Sequence, residues 1–454
     1  MSRTLLLKNA TVVATMDDDR REIADGAVYV RGNRIEAVGP SHELPAEADE
    51  VIDLRGHVLL PGLVNTHHHM FQTLTRALPA AQNAELFDWL SALFPVWARI
   101  TPEMMTVSAE TAMAELILSG CTTAADHAYF YVNGSRLENN IEAAQRVGIR
   151  YHPARGAITR GRSKGGLPPD EVVEHDEDAV LRDMQRVIEA YHDPSPDAML
   201  RIAVGPSSPF TVSSDLMRES ARLARAYGVN MHTHTAENSK DVAFCREHYG
   251  MTPAQLVEEL GWVGADTWHA HCVHLDDYGV RLFARTGAGV AHCPCSNMRL
   301  ASGIAPIRKM LDAGVKVGLG VDGTASNDGN DLLGEARQAM LLARVRDQDP
   351  TAMSAREALW LATRGGAAVL GRDDAIGRLQ PGYCADMIAI RLDDIGFAGG
   401  QIDPLASLLF CAPRRVAYSV INGRVVVREG QLTTVELPVL VERHNRLARQ
   451  LVDG

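Results

Sequence analysis

Between about residues 58 and 365 the chain alternates apolar runs with stretches of helical pattern, and it does so eight times. The runs are Val58–Val64, Cys121–Ala125, Ile149–Pro153, Leu200–Gly205, Val229–His234, Thr267–Cys272, Gly289–Cys293 and Val315–Asp322. One intervening helix is predicted from Pro102, with Thr101 as its N-cap, to a stop at Gly120; another spans Ser214–Tyr227 and stops at Gly228. Parallel strands buried on both faces read as apolar runs of this length. Eight of them alternating with helices predict an α/β fold, a (β/α)8 TIM barrel, whose chemistry belongs at the C-terminal ends of the strands.

Both ends of the chain have a different texture. Thr4–Val13, Ala27–Val30, Arg34–Val38 and Glu50–Leu54 read as short strands, with a hairpin turn at Arg31-Gly32-Asn33-Arg34. Strand signals return in Ala385–Arg391, Arg415–Ile421 and Val425–Val427, and Asn422-Gly423 marks a hairpin between the last two. We therefore expect residues 1–57 and 368–434 to form one small β-sandwich domain built from both termini. Residues 58–367 are the expected barrel, and 435–454 an expected C-terminal helix packing on the barrel or the β domain.

Composition narrows the partners. With 454 residues, 46% hydrophobic and 22% charged, the chain has ordinary globular proportions and enough length for a large core. A net charge of -12 without any basic block disfavours nucleic acid and anionic membrane surfaces, and favours a small substrate. Lys8 interrupts the apolar Leu5–Leu7, so neither a signal peptide nor a membrane anchor is expected. Seven cysteines without framework spacing suggest reduced thiols in the cytoplasm.

Several predicted strands end in metal-ligand residue types. After the first, Thr66-His67-His68-His69 stays extended, so His67 and His69 face one way and His68 the other. Two imidazoles on one side are half of a zinc-type site. The fifth run puts His232 and His234 on one face, with Glu237 three residues on, within reach of a metal-bound water. The sixth contains His269 and His271, and the eighth ends in Asp322-Gly323. Any one of these reads equally as a hydrogen-bonded structural histidine or a turn. Together they put polar groups at the ends of four strands that should be buried and apolar, and a metal site accounts for all four at once.

Competing motifs are weaker. Gly318-Leu319-Gly320-Val321-Asp322-Gly323 fits G-x-G-x-x-G, but Thr324–Asn330 follows it instead of a helix, so no dinucleotide site is expected. Cys293-Pro294-Cys295 lacks the spacing of the nucleobase-deaminase zinc signature. Two connections exceed a plain crossover: 78–97, with Phe87, Trp89, Phe94 and Trp97, and 160–178, rich in Gly, Pro and charge. Both are candidate lids or pocket walls.

The segments Pro61–His69, His234-Thr235-Ala236-Glu237, His271–Leu275 and Gly320–Asn327 resemble the amidohydrolase superfamily, in particular its cytosine/guanine deaminase and chlorohydrolase branch. The details of Asn65–Arg76, Gly120–His127 and Ser296–Gly303 look most like the bacterial 8-oxoguanine deaminases within it. The resemblance implies metal ligands at His67, His69, His234 and Asp322, with Glu237, His271 and Asp322 as catalytic residues. It implies one divalent metal, zinc, with iron as the alternative, because the fourth strand ends in Val204–Ser208 without the lysine of binuclear relatives. Gln72 matches a base-binding glutamine of guanine deaminases, although Ser207 and Ser208 stand where those enzymes carry an arginine. Arg155 matches a substrate-binding arginine of adenosylhomocysteine-type deaminases, and Trp89 or Phe87 is the expected stacking wall. The activity implied is hydrolytic deamination of a small heterocycle, most closely 8-oxoguanine, by a homo-oligomer. The alternatives are an adenosine-type nucleoside, isocytosine, a triazine, or a metal-free scaffold of another class.

Overall fold

The computed structural model describes residues 2–411 and 415–454. Eight parallel strands close into a barrel: Leu63–Asn65, Cys121–Ala128, Arg150–Ala157, Ala203–Pro206, Met231–Thr235, Thr267–His271, Gly289–His292 and Lys316–Leu319. The helices predicted at Pro102–Leu118 and Ser214–Tyr227 are present. The side chains of Thr101 and Ser213 cap their first turns, and Gly228 ends the second in the left-handed region.

The first strand is shorter than the apolar run suggests. His57–Pro61 belongs to the terminal sheet, where it pairs with Met387–Arg391, and only Leu63–Asn65 enters the barrel. Gly62 makes the hand-over. Its amide donates to the Asp386 carbonyl, and the next amide, of Leu63, donates to the Gly120 carbonyl at the barrel. A Cβ at Gly62 would lie 2.0 Å from Thr122 Oγ1, so the two sheets approach this closely only at a glycine.

The terminal strands hydrogen-bond into one nine-stranded sheet. Thr4–Ala14 is its organiser, pairing with Glu22–Arg31 on one side and in turn with Glu50–Asp53 and His57–Pro61 on the other. Apolar side chains cover both faces, Leu5 and Leu7 with Met387 on one and Leu6 with Tyr29 on the other. Asn422 and Gly423, at φ of 50° and 77°, form the hairpin turn expected of Asn-Gly. The C-terminal helix Leu437–Asp453 lies on the barrel side, where His444 Nε2 is 3.0 Å from Thr73 Oγ1 and Arg99 Nε donates to the Leu451 carbonyl at 3.0 Å. Among the described residues no helix is long and apolar enough to cross a membrane.

A buried ion pair joins the two sheets beneath the barrel. Arg150, at the start of the third barrel strand, sets Nε and Nη2 at 2.9 and 3.1 Å from the Asp386 carboxylate, and both side chains are buried. Its Nη1 donates to the carbonyls of Asp197 and Ala198, so the guanidinium is well satisfied. Such a pair adds little against an apolar substitute, but leaving one partner alone is costly. Asp386→Ala is therefore expected to lose about 3–5 kcal/mol of stability, while the double variant Arg150→Met/Asp386→Leu recovers most of it. Unfolding midpoints of the parent, both single variants and the double variant check this.

Candidate active site

The stretch after the first strand is stitched into the barrel on both sides. The Thr66 amide donates to the Leu319 carbonyl, Asp322 donates its amide to the His67 carbonyl, and His127 donates its amide to the His68 carbonyl. Held extended in this way, the segment alternates: His67 and His69 face the barrel axis, and His68 turns aside to place Nε2 2.7 Å from Asn330 Oδ1. The fifth strand behaves likewise, with His234 at its mouth and His232 one layer deeper.

Four atoms converge at the mouth. The Nε2 atoms of His67 and His69 each lie 3.3 Å from Asp322 Oδ1, and His69 Nε2 lies 3.2 Å from His234 Nε2. The other ring nitrogens are already engaged. His69 Nδ1 is 2.9 Å from the His127 carbonyl, and His234 Nδ1 is 2.6 Å from the Ser207 carbonyl. A carbonyl only accepts, so both imidazoles carry their proton on Nδ1 and present a bare Nε2. His67 Nε2 likewise has no hydrogen-bond partner among the described residues. Burial pushes the His67 imidazole down to about 3 and lowers those of His69 and His234, so they are neutral near pH 7. Asp322 Oδ2 accepts from the hydroxyls of Ser296 (2.6 Å) and Ser326 (3.0 Å), and Oδ1 from the Gly323 amide (2.7 Å). Three imidazole lone pairs and a carboxylate thus face one another with no proton between them. A divalent cation would satisfy all four, and imidazole nitrogens with a carboxylate oxygen are donors that zinc takes.

Two further groups stand across from this cluster. His271 Nε2 is 3.6 Å from Glu237 Oε2 and 4.0 Å from Asp322 Oδ2, while its Nδ1 is oriented by Asn297 Oδ1 at 3.0 Å. Burial, and then the nearby Asp241 and Asp322, raise Glu237 well above the usual carboxylate range. Its carboxyl is therefore suited to holding a proton for delivery. The loops carrying these residues are strained: Ala236, His271, Cys272 and Asp322 all have positive φ, from 52° to 70°. Non-glycine residues accept that backbone only where surrounding structure imposes it, and such sites cluster at functional centres.

The cluster floors a cavity lined by His69, His234, Glu237, His271 and Asp322. The 78–97 connection supplies much of its wall, through Leu86, Trp89, Leu90 and Phe94. Trp89 lines the cavity while its Nε1–H donates to the Ala325 carbonyl at 3.0 Å. Phe87, the other aromatic candidate, is not part of the lining and packs against Phe210. Gln72 is buried in the wall. Its Oε1 accepts from the Ala325 amide at 3.4 Å, and its Nε2 has no partner among the described residues. Gly323 makes room for it, since a Cβ there would lie 1.9 Å from Gln72 Oε1.

Arg155 is placed elsewhere. Its guanidinium pairs with Glu174 through Nη1 (2.8 Å) and Nη2 (2.6 Å) and with Asp183 through Nε (2.8 Å), and it does not line the cavity. It anchors the 160–178 connection, which contributes no residue to the lining. Sequence reasoning gave no role to Tyr129, Thr211 and Leu300, which do line the cavity, nor to Ser296 and Asn297, which orient Asp322 and His271. Their residue types carry no ligand signal, and only barrel closure brings them here.

A model of the amidohydrolase family matches residues 58–426. The chain is 41% identical over 456 aligned residues to an 8-oxoguanine deaminase of Pseudomonas aeruginosa, with 100% of each chain covered. It is 35% identical to an isoxanthopterin deaminase of an unknown prokaryotic organism, over 93% of this chain and 94% of that one. Among solved structures, an atrazine chlorohydrolase from Arthrobacter aurescens TC1 complexed with zinc matches with a TM-score of 0.93 at 36% identity, covering 98% of this chain and 100% of that one. A family model spanning most of the chain, and relatives this similar over their full length, establish that the chain belongs to the amidohydrolase family.

Proposed function

We propose that the protein is a zinc-dependent hydrolytic deaminase that releases ammonia from an amino-substituted purine, with 8-oxoguanine as substrate and urate as product. The observation that carries the reading is the facing of His67, His69, His234 and Asp322 by Glu237 and His271 across one cavity. Full-length similarity to an 8-oxoguanine deaminase supports the substrate. The zinc-bound chlorohydrolase structure supports the metal. When bound, a divalent metal lowers the pKa of a coordinated water to about 7 and so supplies the nucleophile.

The protein groups divide the remaining work. Gln72 Nε2, unpartnered in the wall, donates to an acceptor on the ring edge, and the Trp89 side of the cavity packs against the flat heterocycle. Glu237 delivers its proton to the ring nitrogen beside the amine-bearing carbon, which makes that carbon electrophilic. Asp322 Oδ2 takes the proton of the attacking water, and His271 Nε2, between Asp322 and Glu237, orients that water. As the C–N bond breaks, the proton held by Asp322 passes to the amine, and the hydroxyl proton on the carbon returns to Glu237 as the carbonyl forms. One water is consumed, one ammonia leaves, and the carbon keeps the oxygen. All seven cysteines are free thiols, which supports a reducing, cytoplasmic setting.

A second reading, an aminotriazine substrate, is favoured by the uncharged wall formed by Ile158, Ser207, Ser208 and Phe210. Ammonia release across 8-oxoguanine, guanine, isocytosine, adenosylhomocysteine and aminotriazines separates the two. Turnover of triazines without any purine would overturn the purine assignment. Glu237→Gln is expected to slow ammonia release by at least about 10²-fold while one zinc per chain is retained, checked by elemental analysis. Gln72→Leu should raise KM for 8-oxoguanine up to about 10-fold, the loss of one neutral hydrogen bond, with zinc content unchanged.

A further inference from the structure

The hydrogen bonds around His67 close into a ring. His232 Nδ1 lies 2.9 Å from the Trp268 carbonyl, and His67 Nδ1 lies 2.7 Å from His232 Nε2. Trp268 in turn donates Nε1–H to the carbonyl of Thr66 at 3.0 Å, the residue before His67. Directions follow from chemistry. The Trp268 carbonyl only accepts, so His232 carries its proton on Nδ1 and leaves Nε2 as an acceptor. His67 Nδ1 is then the donor, and His67 Nε2 is left bare toward Asp322.

His232 is fully buried, and its ring stacks on the Trp268 indole with centroids 4.4 Å apart and planes 13° from parallel. A ring flip that would exchange the two nitrogens is thereby opposed by packing as well as by hydrogen bonding. His69 and His234 need no such intermediary, because their Nδ1 atoms reach the carbonyls of His127 and Ser207 directly. His67 is the one imidazole of the three whose Nδ1 meets another ring. The neighbouring His127 is tied through Nε2 to the Gly205 carbonyl at 2.6 Å, and its Nδ1 is unpartnered.

We propose that His232 is a positioning residue: it relays the acceptor character of the Trp268 carbonyl to His67 and so holds His67 in the tautomer that presents Nε2 to the metal. This role rests on the zinc site proposed above. Its test compares zinc affinity, by chelator competition, in the parent, His232→Gln and His232→Leu. A glutamine Oε1 reaches the place of the imidazole Nε2 and can accept from His67, whereas leucine cannot. His232→Leu is expected to weaken zinc binding about 10–100-fold, the usual cost of losing the partner that orients a ligand, and His232→Gln to recover most of it.

Parent-like affinity in His232→Leu would assign the tautomer to His127 or to packing and overturn the relay. Equal losses in two folded variants would overturn it too, leaving only a space-filling role. Should His232→Leu fail to fold, long-range 15N–1H spectra of the zinc-loaded parent decide the matter, with the His232 signals assigned by their loss in His232→Gln. His232 must be protonated on Nδ1 with Nε2 bare, and the opposite tautomer sinks the proposal. A parent that binds no zinc defeats the metal site itself, a separate outcome, since the tautomer of His232 can be read without zinc.

Discussion

The structure depends on an arrangement that is unfavourable by itself: three imidazole lone pairs and one carboxylate brought together in a buried mouth without a proton among them. Buried acceptors without donors are costly, and the usual escape, protonating a histidine, is opposed by burial. A divalent cation in this mouth would offset that cost, and the rest of the barrel holds the four groups in place. Strand carbonyls fix two of the rings, His232 meets the third, and two hydroxyls and an amide fix the carboxylate.

That rigidity is distributed over distant parts of the chain. Asp322 is steadied by Ser296 and Ser326, and the His67 carbonyl accepts from the Asp322 amide, so the first and eighth strands close on each other at the metal cluster. The strained loops after the fifth, sixth and eighth strands aim Glu237, His271 and Asp322 into one space. The 78–97 connection then walls this space with the apolar side chains of Leu86, Trp89, Leu90 and Phe94. Below the barrel, the Arg150–Asp386 pair ties the terminal sheet to the third strand, and the Gly62 hand-over ties it to the first, which leads into His67 and His69.

Much of this was legible because strands repeat every two residues. That period separates His67 and His69 from His68, pairs His232 with His234, and needs no knowledge of the partners. The eight apolar runs likewise announce eight parallel strands, since burial on both faces demands them. The split of Val58–Val64 was not legible. Both halves are apolar, and only the close approach of Gly62 to Thr122 ends one sheet and begins the other. Arg155 shows the converse. Residue type and strand-end position suit a substrate contact, yet Glu174 and Asp183, 19 and 28 residues downstream, take the guanidinium.

By itself, then, the sequence determined the barrel and the composite β domain and pointed to His67, His69, His234 and Asp322 as candidate metal ligands, because periodicity and residue chemistry are local properties. Tertiary structure alone decided which nitrogen of each imidazole is tied up and which is turned toward Asp322 and the other rings, because that depends on carbonyls and rings supplied by other strands. It also decided that Trp89 rather than Phe87 walls the cavity, and that Gln72 is buried in that wall with its Oε1 on the Ala325 amide. These outcomes turn on contacts between residues far apart in the chain, which no local pattern records.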